Sequence, residues 1–122
     1  MGKNAEIVRS FCRAWSRTDA KELLAFFTDD AVYHNVMLPP LAGKAAIEAG
    51  IRGFLGGWSD VEWELRNVAE DGDVVITERV DRGRANGKPF ALPVAGVFEL
   101  EGGKIRAWRD YFDLATYTKA VS

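Results

Sequence analysis

Residues 61–113 read VEWELRNVAEDGDVVITERVDRGRANGKPFALPVAGVFELEGGKIRAWRDYFD. Three turn signals cut this stretch: Asp71-Gly72-Asp73, Asn86-Gly87-Lys88 and Gly102-Gly103-Lys104. Gly and Asn accept the positive φ that tight hairpins require. The signals separate four β-prone runs, near residues 61–70, 74–84, 89–100 and 105–113. Consecutive hairpins predict an antiparallel meander.

The residues before this stretch read mostly as helix. Ile7, Val8, Phe11, Cys12 and Trp15 recur at helical spacing, with Arg9, Arg13 and Arg17 elsewhere on the wheel. Thr18 or Asp19 caps a second helix that carries Glu22 early and runs through Leu23, Leu24, Phe26 and Phe27. Thr28-Asp29-Asp30 breaks it, and residues 31–35 form a short β-prone run. Pro39-Pro40 stiffens the loop that follows. Residues 43 to about 55 read as a third helix, stopped by Gly56-Gly57, and Asp113 to Tyr117 as a short C-terminal one. Helices first and long strands after them make an α+β fold. The helices pack over one face of a curved sheet and enclose a blind pocket. One domain spans residues 1–122.

Composition excludes several function classes. The chain has 122 residues, 48% hydrophobic and 28% charged, a soluble and globular balance. A net charge of -2 leaves no strong basic field, which argues against a nucleic-acid partner. One Cys and one His rule out an internal disulfide and a Cys/His zinc site. No apolar run approaches the roughly 20 residues of a membrane span. MGKNAEIVRSF lacks the apolar core of a secretory signal, and Glu6 breaks the myristoylation pattern. The expectation is a cytoplasmic protein with no membrane partner.

Side chains two apart on a strand share a face. Val75, Thr77, Arg79 and Asp81 therefore share one face, and Ile76, Glu78 and Val80 the other. Trp108, Asp110 and Phe112 share a face, as do Leu92, Val94, Gly96 and Phe98, with Gly96 leaving space. Tyr33 and Asn35 face together while His34 points away. An Asp between Trp and Phe is unusual on a solvated strand. These patterns suggest an apolar pocket holding Asp81, Asp110, Arg79, Tyr33 and Asn35. One Arg fork can bond two carboxylates, and one retained proton makes the trio neutral. One Asp then serves as acid and the other as base. Spacing alone leaves other readings open. Arg79 and Asp81 also fit a surface ion pair, Asp110 a solvent-facing edge residue, and Tyr33 and Asn35 turn or core polar groups. Cys12 reads as a small core hydrophobe, and Trp58 and Trp63 as core or interface residues.

The segments Tyr33-His34-Asn35, Leu38-Pro39-Pro40, Thr77-Glu78-Arg79-Val80-Asp81, Gly96-Val97-Phe98 and Gly103 to Leu114, with its core Trp108-Arg109-Asp110-Tyr111-Phe112-Asp113, carry a resemblance. In this order and at these intervals they resemble the limonene-1,2-epoxide hydrolase family, of the nuclear-transport-factor-2-like and SnoaL-like superfamily. The resemblance implies a cone of helices on a strongly curved, mixed but mostly antiparallel sheet. It also implies a homodimer. It makes Asp110 the general base that activates water, Tyr33 and Asn35 the groups that hold that water, Asp81 the general acid, and Arg79 the bridge between the carboxylates. The reaction implied adds water to a small apolar epoxide in one step, with no metal and no cofactor. Met37, Leu38, Leu92, Val94, Phe112 and Tyr117 are the expected pocket lining. Gly83 stands where a larger side chain would narrow the cavity, and the short stretch after Thr118 implies a more open mouth. Isomerases and cyclases of the ketosteroid-isomerase-like and polyketide-cyclase-like kinds, and non-catalytic binding modules, share the scaffold. They have no need of an Arg shared by two carboxylates.

Overall fold

The computed structural model describes residues 2–122. Helix α1 spans Lys3–Ala14, a 3-10 turn follows at Trp15–Arg17, and α2 spans Ala20–Leu24. Strands β1 (Phe27–Asn35) and β2 (Leu41–Ala42) precede α3 (Lys44–Leu55). Strands β3 (Trp58–Asp71), β4 (Val74–Ala85), β5 (Lys88–Glu101) and β6 (Lys104–Tyr111) follow, and α4 (Leu114–Val121) ends the chain. The sheet order is β2-β1-β6-β5-β4-β3. β3 to β6 form the expected meander of hairpins, whose turns hold Gly72, Asn86, Gly87, Gly102 and Gly103 at positive φ. β1 lies beside β6 and parallel to it, so the sheet is mixed. This is the α+β architecture expected, with helices against a six-stranded sheet.

Two local readings change. Helix α2 ends at Leu24, and Phe27 begins β1 instead of extending the helix. The Phe26 carbonyl accepts from Ile105 N–H at 2.8 Å, which draws this backbone into the sheet. Thr28, Asp29 and Asp30 are then part of β1, at an irregularity in its pairing between Phe27 and Val32. The short strand β2 was not foreseen. It pairs with β1 through Val32 with Ala42 and Tyr33 with Leu41.

The core is aromatic. Phe11 of α1 makes edge contacts with Trp15, Phe26, Phe27, Trp63, Phe98 and Trp108. Burying such a side chain contributes roughly 1.5–3 kcal/mol. Cys12 is buried in the same core, and burial pushes its thiol up to about 12, so it packs as a neutral group. Two side chains cap helix starts. Asp19 accepts from the N–H of Lys21 and Glu22, and Glu70 of β3 accepts from Ala5 N–H at 2.7 Å. None of the described helices is long and apolar enough to cross a membrane.

Candidate active site

The meander sets the floor of the site. Thr77, Arg79 and Asp81 point inward from β4, and Trp108 and Asp110 from β6. Between them, β5 presents Gly96, which pairs with Thr77 on one side and Asp110 on the other. A Cβ on Gly96 would stand 2.6 Å from Arg79 Nη1 and 2.9 Å from Asp110 Oδ1. The missing side chain is the gap through which Arg79 crosses to β6. Pairing of β1 with β6 sets Tyr33 beside Trp108 and Asn35 beside Asp110.

Arg79 uses every N–H it has. Nε donates to Asp81 Oδ1 at 2.7 Å, and Nη2 to Asp81 Oδ2 at 3.2 Å. Nη2 also donates to Asp110 Oδ2 at 2.5 Å, and Nη1 to Asp110 Oδ1 at 3.1 Å. The remaining Nη1 hydrogen faces Thr77 Oγ1 at 3.5 Å. The guanidinium lies over the Trp63 ring, 4.3 Å from its centre. Arg79, Asp81 and Asp110 are 1%, 6% and 3% exposed, so the surface ion-pair and edge-residue readings both fail.

One cation faces two buried carboxylates. Burial raises the Asp81 carboxyl to about 6, against the pull of Arg79, and the charge of Asp110 adds to the rise. Burial works against the charge on Arg79, but the carboxylates of Asp110 and Asp81 outweigh it and hold the guanidinium protonated. Burial, then the charge of Asp110, raises the Tyr33 phenol well above its ordinary range, so it stays a neutral hydroxyl. That hydroxyl donates to Asn35 Oδ1 at 3.3 Å. Trp108 Nε1 donates to Asp110 Oδ1 at 2.7 Å.

Asp81, Asp110, Tyr33 and Asn35 open on a cavity of about 70 Å³, against the roughly 10–15 Å³ one water needs. Leu38, Leu92, Val94, Phe112 and Tyr117 line it as expected. Met37 does not. The turn closed by Leu38 N–H on the Asn35 carbonyl, at 2.7 Å, brings Leu38 to the cavity and leaves Met37 on the surface. His34 donates from Nε2 to the Leu38 carbonyl at 2.8 Å and stays off the cavity wall. Trp15, Phe54, Trp58, Trp63 and Leu114 also line the cavity and were not assigned to it from sequence. Trp58 and Trp63 are five apart and would face opposite ways on a regular strand. An irregularity in β3 between Ser59 and Glu62 turns both inward. Leu114 and Tyr117 come from α4, which therefore covers part of the mouth. Gly83 lies beyond the cavity wall, where a Cβ would meet the Phe90 ring at 3.2 Å. Among the described residues, no three His, Cys, Asp or Glu side chains group as a metal site.

Residues 8–108 match the profile of the SnoaL-like domain. The chain belongs to the SnoaL-like family. This SnoaL-like chain is 33% identical over 114 residues to epoxide hydrolase EphG of Mycobacterium tuberculosis (strain ATCC 25618 / H37Rv), covering 93% of this chain and 76% of that protein. Among solved structures, an M. tuberculosis LEH-like epoxide hydrolase matches with a TM-score of 0.84 and 30% identity. That match covers 97% of this chain and 88% of the other. A Catenulispora acidiphila DSM 44928 protein with a ketosteroid isomerase-like fold, in complex with trimethylamine, matches with a TM-score of 0.85 and 25% identity. Coverage there is 95% of this chain and 92% of the other. The likeness to epoxide hydrolases read from the strand motifs thus holds at the level of family. The same SnoaL-like scaffold also occurs in proteins described by other folds and names.

Proposed function

We propose that this chain is a cofactor-independent epoxide hydrolase that adds water to a small apolar epoxide and gives a vicinal diol. The observation that carries the reading is one buried guanidinium bridging two carboxylates that both face an apolar cavity. An isomerase that moves one proton has no use for two bridged carboxyls. A pure binding module has no reason to bury them. The relation to EphG supports the same reaction class.

Each side chain then has a task. Asn35 and the Tyr33 hydroxyl hold a water beside Asp110. The Asp110 carboxylate takes one proton from that water as its oxygen attacks an epoxide carbon. The C–O bond on that carbon breaks, and the released electron pair takes the proton of Asp81. Arg79 balances the charge before and after, since one carboxyl is protonated at each stage. The carboxyls then exchange their proton with solvent to restore the starting state. Asp81 must hold its proton and Asp110 must not, so turnover has a bell-shaped pH dependence. Its apparent limits belong to the pair. The alkaline limb begins near the value of about 6 reached by Asp81.

The test is diol formation from a panel of cyclic and terminal epoxides, with Asp110→Asn as the control. Turnover that vanishes in the variant is the expected result. In oxygen-18 water, a single turnover should place label in the diol; an unlabelled first product would mean that an Asp attacks instead. No diol from any epoxide would shift weight to proton transfer next to a carbonyl, as the ketosteroid isomerase-like scaffold suggests. The proposal includes a cytoplasmic enzyme that works as a homodimer.

A further inference from the structure

The two oxygens of Asp110 are not equivalent. A carboxylate oxygen offers two acceptor positions. Oδ1 accepts from Trp108 Nε1 at 2.7 Å and from Arg79 Nη1 at 3.1 Å, which fills both. The same atom lies 2.9 Å from the place a Cβ on Gly96 would take, so it is turned toward the sheet backbone. Among the described residues, Oδ2 accepts from Arg79 Nη2 alone, at 2.5 Å. One of its acceptor positions remains.

We infer that Trp108 is a positioning residue for the base: by filling Oδ1 it leaves Oδ2 of Asp110 as the atom that takes the proton of the attacking water. This rests on the epoxide hydrolase reading. The water's O–H bond breaks, its proton goes to Oδ2, and the freed electron pair forms the new C–O bond. The epoxide C–O pair takes the proton of Asp81. Oδ1 keeps both donors throughout, so the carboxyl does not turn as its charge changes.

Trp108 is built for this task. It is fully buried, with Tyr33 of β1 stacked at 4.0 Å and Phe98 of β5 at 5.5 Å. Those partners are its neighbours on the two adjacent strands. One indole therefore sets both the rotamer of the base and the place of the phenol beside it. The bond to Asp110 is not a routine result of burial. Trp15 and Trp63 lie in the same core with buried Nε1 atoms that have no partner among the described residues.

The test removes the N–H and keeps the ring. Benzothienylalanine, which carries sulfur where indole has N–H, is incorporated at position 108 alone, beside Trp108→Phe. The isostere carries the test, because Trp108→Phe shrinks a buried side chain and can lower stability. Two readouts are taken: kcat and KM across pH on an epoxide, and the titration of the Asp110 carboxyl carbon by carbon-13 NMR, assigned with Asp110→Asn.

In the isostere, kcat should fall about 10- to 100-fold, as for loss of one oriented donor, with KM changed less than about threefold. The acidic limb of kcat and the carbon-13 midpoint should both move up by about one pH unit, since a carboxylate that loses a donor holds its proton more tightly. An isostere with native kcat and native pH limb would overturn the inference. So would a loss confined to Trp108→Phe, which would mean packing alone. A native chain that opens no epoxide defeats the proposed function separately. The carboxyl titration then decides by itself whether Trp108 positions Asp110, and an unmoved midpoint rejects it.

Discussion

At the level of single residues, Asp81 carries a pH signature that falls between about pH 4 and 7. Burial lifts its carboxyl from 3.8 to about 6. The folded protein therefore binds this proton more tightly than the unfolded chain does. Its contribution to stability is complete below about pH 4 and is lost as pH rises through 6, because only the folded state must then hold a poorly solvated charge. A shift of this size corresponds to about 3 kcal/mol. Asp81→Asn removes the titration and keeps the shape. Urea unfolding from pH 4 to 7 should show the variant gaining on the native protein by up to that amount as pH rises. A constant difference across the range would mean that Asp81 titrates alike in both states. Activity should be lost at every pH, since Asn cannot give the proton.

The site belongs to no single element. β4 supplies Arg79 and Asp81, β6 Asp110, and β1 Tyr33 and Asn35, while β5 contributes an absence. Gly96 pairs with both Thr77 and Asp110, and Arg79 passes over it. Gly96→Ala would set a methyl 2.6 Å from Arg79 Nη1. Backbone in the middle of a sheet cannot retreat, so the guanidinium must move and its bonds to Asp110 break. Overpacking of this kind costs about 1–3 kcal/mol. The expected result is a folded variant, seen by circular dichroism and a lowered Tm, with turnover reduced at least about 100-fold. Turnover near the native level would show that Arg79 need not bridge the two carboxylates.

At the scale of the whole molecule, the helices cover one face of the sheet and leave the other open. On that outer face Ile76 and Tyr111 are 49% and 45% exposed, with Ala95 between their strands. Apolar side chains on a sheet face without a helix over it favour a second copy. The native chain should show twice its 13.5 kDa mass by light scattering after size exclusion. Ile76→Asp should shift it toward a single chain. A native protein that stays at one chain mass through a concentration series rejects the dimer.

The sequence by itself determined the strand meander, because its three hairpin signals and the alternation between them are local. It also put Arg79 and Asp81 on one shared face and Asp110 on a face with Trp108, since alternation along a strand needs no partner, while burial of those faces came from the tertiary structure. The end of α2 was not legible. Phe27 satisfies a helical pattern equally well, and only the bond from Ile105 to the Phe26 carbonyl draws that backbone into the sheet. Tertiary structure alone brought β1 next to β6, which sets Asn35 at Asp110. It alone turned Trp58 and Trp63 to one side through a break in strand register, and left Met37 outside. It alone brought Arg79 within hydrogen-bond reach of both carboxylates, a bridge that strand patterns and motif resemblance had only suggested. The reason is physical. Periodicity reports which face of its own element a residue occupies, whereas a cavity is made where several elements meet, and their pairing is decided by contacts distant in sequence.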